Sequence, residues 1–574
     1  MTDQITLGRY LFEKIKEAGV NSVFGVPGDF NLALLDHIKE VENLRWVGNA
    51  NELNAGYEAD GYSRINGFSC IITTFGVGEL SAINAIAGSY AEHIPLIHIV
   101  GMPSILAEEK KLLLHHTLGD SKFDDFIQMS EKVSGKLKVL TNLESAPKII
   151  NDLIETSILT KRPVYLGFPS NFSDSLIPSS TINNLKLNLK FSQNIKTDED
   201  EFVENIINLI QISKNPIILV DACASRHAVT DQVNQLAKIT KFPVFTTPMG
   251  KSSFNEDSDE YYGIYVGELS SPDVKELVES TDCILSIGGL LSDFNTGSFS
   301  YSYTTNNVVE FHSNYCKFKR ATYENLKMNG ALINLVSKLL NLNLNFENKF
   351  KPPPSKFDYQ SAKICPTGPL TQDYMWKKLS YFLKENDIIV TETGTSSFGI
   401  LSTHFPKNVK AISQVLWGSI GFSLPAAVGA GFAADDLKKF DPNHPERRVI
   451  LFIGDGSLQL TVQAISDACR WNIKPYIFVL NNNGYTIEKL IHGPTESYNN
   501  IQPWNHQIIL DLFANKASYE SLTVKTCKEL DDLYNCEKFN NPDKIRLIEL
   551  MLDEFDAPET LKLQAKLSDK INSA

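Results

Sequence analysis

Val449-Ile450-Leu451-Phe452-Ile453-Gly454-Asp455-Gly456-Ser457, followed by Tyr476-Ile477-Phe478-Val479-Leu480-Asn481-Asn482-Asn483-Gly484, decides the fold of this chain. Each begins as a short apolar run and stops at a polar, glycine-containing turn, so each reads as a buried strand. A helix is expected between them, capped by Ser457. Leu458, Val462, Ile465 and Cys469 recur there at helical spacing until Asn472 and Pro475 close the segment. Strand, helix and strand of these lengths make a right-handed parallel unit. Both polar ends then emerge on one carboxyl edge, where open α/β sheets bind ligands.

Asp455 and Asn482 lie 27 positions apart and become neighbours on that edge. A hard cation such as magnesium takes oxygen ligands and shares them with phosphates and water. The Asp455 carboxylate, the Asn482 amide oxygen and the Gly484 carbonyl meet that demand. The N-terminus of the intervening helix adds N–H groups for an anion. Two ordinary turns after strands are the bland alternative, and the spacing together with the helix favours the metal and diphosphate site.

Working outward, polar connectors divide the 574 residues into three blocks, each alternating short apolar strands with amphipathic helices. The fold class expected is α/β, with three parallel-sheet domains: 1–185, a central domain 192–345, an extended proline-bearing linker 346–369, and 370–574. The segments Phe75–Ala91 and Trp417–Ala433 align without gaps, a faint internal echo between the outer blocks. A hydrophobic fraction of 43% supports a large core. The net charge of −14, without a basic cluster, argues against nucleic acid or an anionic membrane as partner. Eight scattered cysteines form no zinc-type or Cys-x-x-Cys pattern, which fits a reducing compartment. With no apolar stretch long enough to span a bilayer and no leader-like start, a cytoplasmic protein is expected.

The Gly-Asp-Gly and Asn-Asn pair resembles the thiamine diphosphate signature. Gly25-Val26-Pro27-Gly28-Asp29, Gly48 to Asn54, His115-His116, Glu392-Thr393-Gly394-Thr395, Trp417 to Gly421 and Tyr485-Thr486-Ile487-Glu488 extend the likeness to the thiamine diphosphate-dependent 2-oxo acid decarboxylases, of the yeast pyruvate type. The resemblance implies a first domain that holds the cofactor's aminopyrimidine and a last one that holds its diphosphate and Mg2+. It also implies a homodimer assembling to a homotetramer, with sites completed between subunits and a small-molecule 2-oxo acid as substrate.

The resemblance assigns roles residue by residue. Glu52 would hydrogen-bond the pyrimidine and promote removal of the thiazolium C2 proton; otherwise it is a first-turn glutamate that favours the helix dipole. Ile420 would wedge the cofactor into a bent shape while the Gly418 carbonyl accepts from its amino group. Thr393, Gly394, Thr395, Gly456 and Ser457 would supply donors to the diphosphate, with Asp455, Asn482 and Gly484 on the metal and Ile487 against the cofactor. Asp29, His115, His116 and Glu488 would handle protons after carbon dioxide leaves. Adjacent histidines are commonly a solvated surface pair, but here they occupy a loop-like stretch that the family folds over its site.

Ile487 and Ile491 flank Glu488, and with Phe294 and Phe398 they imply a narrow apolar pocket that suits a methyl group. Pyruvate, decarboxylated to acetaldehyde in alcoholic fermentation, is therefore expected. Ser397 stands where the family pattern has alanine, and an added hydroxyl there would favour an aromatic or branched-chain 2-oxo acid such as phenylpyruvate or indolepyruvate. Cys223, in Asp221-Ala222-Cys223-Ala224-Ser225-Arg226-His227, resembles a position linked to substrate activation; Arg226 and His227 would lower its pKa, and a buried inert thiol is the alternative. A catalytically silent cofactor-binding regulator would lack Glu52, Glu488 or the histidines, all of which are present. The Gly76-Val77-Gly78 stretch lacks the third glycine of a dinucleotide fingerprint.

Overall fold

The computed structural model describes residues 4–342 and 351–572. The first sheet takes its six strands from Ser22–Gly25, Arg45–Trp46, Ser69–Thr74, Leu96–Met102, Lys136–Val139 and Val164–Pro169. The last takes six from Ile388–Thr391, Lys410–Ile412, Val449–Gly454, Tyr476–Asn481, Tyr519–Val524 and Ile545–Met551. All are parallel. Numbered within each sheet by chain order, both run 2-1-3-4-6-5. The central sheet has seven strands in the order 3-2-1-4-5-6-7, strand six pairing antiparallel with both of its neighbours. Strands such as Val449–Gly454 are apolar throughout because a parallel sheet covered on both faces leaves no residue a wet side.

The outer units share one hydrophobic core that runs from Leu7 to Leu547, whereas the central unit keeps its own. Two helices make the shared core possible. Glu52–Asn66 starts at Asn51, whose side chain accepts from Asn54 N at 2.8 Å. Ser423–Phe440 is buried nearly all round by Leu424, Ala426, Ala427, Val428, Ala430 and Phe432. They meet backbone to backbone. A Cβ on Gly61 would lie 2.0 Å from Ala426 O, and one on Gly429 would lie 1.9 Å from Glu58 O. As residue numbers fall from 61 to 58 on one helix they rise from 426 to 429 on the other, so the two run antiparallel. Asp436, from the second helix, accepts from Ser22 Oγ (2.7 Å) and Tyr62 OH (2.9 Å) and pairs with Arg45 (2.8 Å).

Four expectations are corrected. The single helix after Gly-Asp-Gly is two, Asp455–Thr461 and Ala464–Trp471, with Val462 and Gln463 carrying the bend. Gly454 takes the capping place and Ser457 lies inside the first turn; Asp455 opens the helix and accepts from Gly456 N at 2.8 Å. The linker expected at 346–369 lies partly outside the described residues, and Pro354–Lys363 is a 3-10 helix instead of an extended strap. A proline's fixed φ suits a helix's first turn as well as it suits an extended chain. The internal echo also pairs the wrong elements. It matches Val77–Ala91 with Ser423–Phe440, yet the helix that lies between strands two and three of the first sheet is Glu52–Asn66.

The joint between the outer units generates two predictions. Gly429→Ala pushes a methyl into the Glu58 carbonyl and is expected to destabilise the protein by about 3 kcal/mol or more in denaturant unfolding; an unchanged midpoint would mean the helices do not meet there. Nearby, Asn49 Nδ2 donates to Glu58 Oε2 (2.8 Å) and to Asp467 Oδ2 (3.2 Å). Burial, then the neighbouring Asp467 charge, holds the Glu58 carboxyl well above its usual 4.5. A carboxyl with a raised folded pKa binds its proton more tightly when folded, so its contribution is complete below the unfolded value and lost as pH rises toward the folded one. Glu58→Gln, neutral at every pH, should therefore melt a few degrees above the parent at about pH 8 and level with it at about pH 4.

Candidate active site

The strand Val449–Gly454 ends at Asp455 and its neighbour Tyr476–Asn481 ends at Asn482, which brings the two side chains together as their spacing predicts. Asp455 Oδ2 accepts from Gly484 N at 3.2 Å. Gly484 turns the chain at φ +121°, and any Cβ there would lie 2.6 Å from Asn499 O, so the position admits only glycine. One end of the Asn482 amide lies 2.7 Å from Thr486 Oγ1, and the other lies 3.1 Å from Gly484 O and 3.3 Å from Asp455 Oδ1. A carboxylate, an amide and a carbonyl thus converge within a small buried space. That is the donor set of a hard cation, and burial raises the pKa of the Asp455 carboxyl in the absence of one.

Around this point, one pocket is lined by Gly394, Thr395, Ser396, Ile420, Gly456, Ser457 and Ile487, together with the three oxygen donors. A second cavity, of about 410 Å³, is lined by Ile420, Tyr485, Glu488, Ile491, His492, Tyr498 and Asn499. Ile420, Tyr485 and Glu488 form walls of both. Glu488 is the odd group here. Its Oε2 is buried without a hydrogen-bond partner, and burial raises the carboxyl above its ordinary 4.5. A buried oxygen left unmatched on a cavity wall is expensive unless a ligand meets it.

Thr393 lines the first pocket as well; there its N–H donates to Glu392 Oε1 (3.0 Å) and its hydroxyl to Gln414 O (3.1 Å). The residue that the sequence reading left without a role is Glu392. Besides Thr393 N, it accepts from Gly421 N (3.2 Å), Ser423 N (3.3 Å) and Ser423 Oγ (2.5 Å), tying together the loops that carry Gly394 and Ile420. Burial pushes this carboxyl up to about 7 against those four donors. A glutamate that ends a buried strand beside Thr-Gly was the available signal. Ser397 turns its hydroxyl back onto Gly394 O at 2.9 Å and does not wet the pocket. Of the four expected pocket residues, Ile487 and Ile491 line the cavities. Phe294 and Phe398 pack edge to face at 5.9 Å in a cluster behind them, against Leu561 of the C-terminal helix.

On the first domain, His115 Nε2 lies 2.7 Å from Asp29 Oδ2, His116 Nε2 lies 3.9 Å from Asp29 Oδ1, and Phe30 stacks on His115 at 5.1 Å. The histidines occupy the turn between Ile105–Glu109 and Asp125–Glu131. Glu52 opens its helix, and its carboxylate approaches Gly78 on the same sheet edge. No residue of this domain lines either cavity of the last one. The helix meets the loop before Ile420 through Tyr57, whose hydroxyl lies 2.6 Å from Ser419 Oγ and whose ring packs edge to face on Phe422 at 5.5 Å, and Glu52 lies five residues N-terminal to it.

Cys223 is buried, and burial, then the Asp221 charge, pushes its thiol up to about 12. Arg226, paired with Glu92 at 3.6 Å, lowers it only secondarily, and burial keeps His227 neutral down to about 3. The buried inert thiol, not the reactive thiolate, is therefore the state of Cys223 in this conformation.

Known proteins agree with this arrangement. Residues 5–125 match the family described as thiamine pyrophosphate enzyme, N-terminal TPP binding domain, residues 203–339 its central domain, and residues 392–537 its C-terminal TPP binding domain. The chain is 53% identical to pyruvate decarboxylase of Candida glabrata over 571 residues, 52% identical to that of Kluyveromyces lactis over 570, and 53% identical to isozyme 1 of Saccharomyces cerevisiae over 572. Each comparison covers 99% of both chains. The matches cover both cofactor-type domains and the central one, and the chain belongs to the thiamine pyrophosphate enzymes, in the yeast-type pyruvate decarboxylase family.

Proposed function

We propose that this chain decarboxylates pyruvate to acetaldehyde and carbon dioxide, using thiamine diphosphate and magnesium. Glu488 is the observation that carries the reading: a half-buried carboxyl with one buried, unpartnered oxygen and a raised pKa, facing a cavity beside a cation-type oxygen triad. Bound thiamine diphosphate supplies the electron sink that a 2-oxo acid lacks when its carboxylate leaves. Asp455, Asn482 and Gly484 would hold the metal, Thr395, Gly456 and Ser457 would face the diphosphate, and Glu52 would meet the pyrimidine. Ile420, as a wall common to both cavities, would set the bend.

The net reaction takes up one proton as pyruvate anion becomes aldehyde and carbon dioxide. Glu488, whose carboxyl burial shifts toward the protonated form, would take up a proton as the substrate carboxylate settles beside it and later give that proton up. Asp29, His115 and His116 would return one from solvent. Ile491 would face the substrate's methyl group, and the inward turn of the Ser397 hydroxyl supports a small apolar substituent over an aromatic one.

The missing first-domain wall supports a site shared between two copies of the chain, in a dimer that pairs into a tetramer. A cavity of about 410 Å³ exceeds what pyruvate fills, and Asp29, His115 and His116 of a second copy would occupy the remainder. We place the enzyme in the cytoplasm: its eight cysteines are unpaired, and no helix among the described residues is long and apolar enough to cross a membrane.

Aldehyde release measured with an alcohol dehydrogenase is expected to be faster with pyruvate than with phenylpyruvate, and Glu488→Gln should lower the rate by about 10² or more. Faster turnover of phenylpyruvate would shift the substrate, and an undiminished Glu488→Gln rate would remove the proposed role. Sharing of the site has its own test, since Glu52→Gln and Glu488→Gln chains are each expected to be inactive alone. Dissociated, mixed and reassembled, they should recover about a quarter of the parent activity, because half the dimers are hybrids with one intact site of two. No recovery from reassembled hybrids would place each site within one chain.

A further inference from the structure

The Asn482 amide is drawn in two directions. The Asp455 carboxylate and the Gly484 carbonyl, at 3.3 and 3.1 Å, both accept, and by themselves they would call for the amide nitrogen. At the other end stands Thr486 Oγ1, 2.7 Å away and buried, with a single hydrogen to give. The Glu554 carbonyl lies 3.0 Å from the same hydroxyl and can only accept. Once Thr486 donates to Glu554, its oxygen has only lone pairs left for Asn482, and the amide must answer with its nitrogen. The amide oxygen then faces Asp455 and Gly484. Three oxygens so placed repel one another unless a cation lies between them, and their separations match the roughly 3 Å edge of an octahedron with 2.0–2.1 Å metal–oxygen bonds.

We propose that Thr486 is a positioning residue for the metal: by donating to the Glu554 carbonyl it holds the Asn482 amide with its oxygen toward the cation. The Glu554 carbonyl is itself fixed. Lys489 Nζ reaches Glu554 Oε1 at 2.5 Å and Asn483 O at 3.0 Å, and Asp556, two residues on, accepts from Gln372 N at 2.6 Å. Metal affinity is in this way coupled to the docking of the segment that leads into the C-terminal helix. Without the hydroxyl, the amide turns its nitrogen to the two acceptors and the ligand is withdrawn. The inference rests on the magnesium site of the proposed function.

The test is manganese binding to the purified full chain with thiamine diphosphate present, read as free Mn2+ by electron paramagnetic resonance, which needs no turnover. Thr486→Val keeps the side-chain shape and removes the hydroxyl; it should weaken Mn2+ binding by about tenfold or more. Thr486→Ser should bind within about twofold of the parent, since its hydroxyl reaches the same carbonyl. Parent-like binding by Thr486→Val, or binding by Thr486→Ser as weak as by the valine variant, would overturn the assignment. Should Thr486→Val fail to fold, Thr486→Ala against Thr486→Ser makes the same comparison. Failure of the magnesium reading has a different signature: the parent itself, and Asp455→Ala alike, would leave all the Mn2+ free.

Discussion

The outer units are held by the crossing of Glu52–Asn66 with Ser423–Phe440, where Gly61 and Gly429 let each backbone rest on the other. No side chain separates the two axes, so the relative placement of the outer units has little freedom. Glu52, at the head of one helix, and Ser423, at the head of the other and hydrogen-bonded to Glu392, inherit their positions from that contact. The loop Trp417–Gly421 leads directly into the second helix, and the Glu392 carboxyl ties it to Gly394. Rigidity at the joint is therefore transmitted to the walls of the pocket through one buried carboxylate and the start of one helix.

The fold was legible where one strand and its turn suffice. Val449–Gly454 and Tyr476–Asn481 announce themselves by apolar runs that stop at glycine-bearing turns, and a parallel unit leaves little choice about which edge Asp455 and Asn482 share. The outer sheets share the order 2-1-3-4-6-5, but the sequence echo between the two blocks joins helices that are not equivalent. Small residues recur in Val77–Ala91 and Ser423–Phe440 because each is packed tightly, and tight packing marks no position in a topology.

Within the site, the legible part was again local. Asp455, Asn482 and Gly484 lie next to the turns that place them. The acceptors of Thr393, Glu392 Oε1 and Gln414 O, are set by the path of the following loop and so are not read from its own turn. Glu392 went without a role because three of its four donors come from residues 29 to 31 positions away. The placement of Phe398 against Leu561 depends on where the C-terminal helix docks, which no periodicity within residues 559–572 reveals.

The shared core also sets the order in which the chain can be completed as it is synthesised. Gly61 emerges from the ribosome roughly 370 residues before Gly429, an interval of about 20 to 70 s at ordinary elongation rates. For that time the face of Glu52–Asn66 that bears Gly61 lacks its partner. The central unit, with a core of its own, can close meanwhile. A nascent chain of this protein thus carries an unfinished N-terminal domain past a finished central one, and its exposed helix face is the natural target of a chaperone until the last domain arrives.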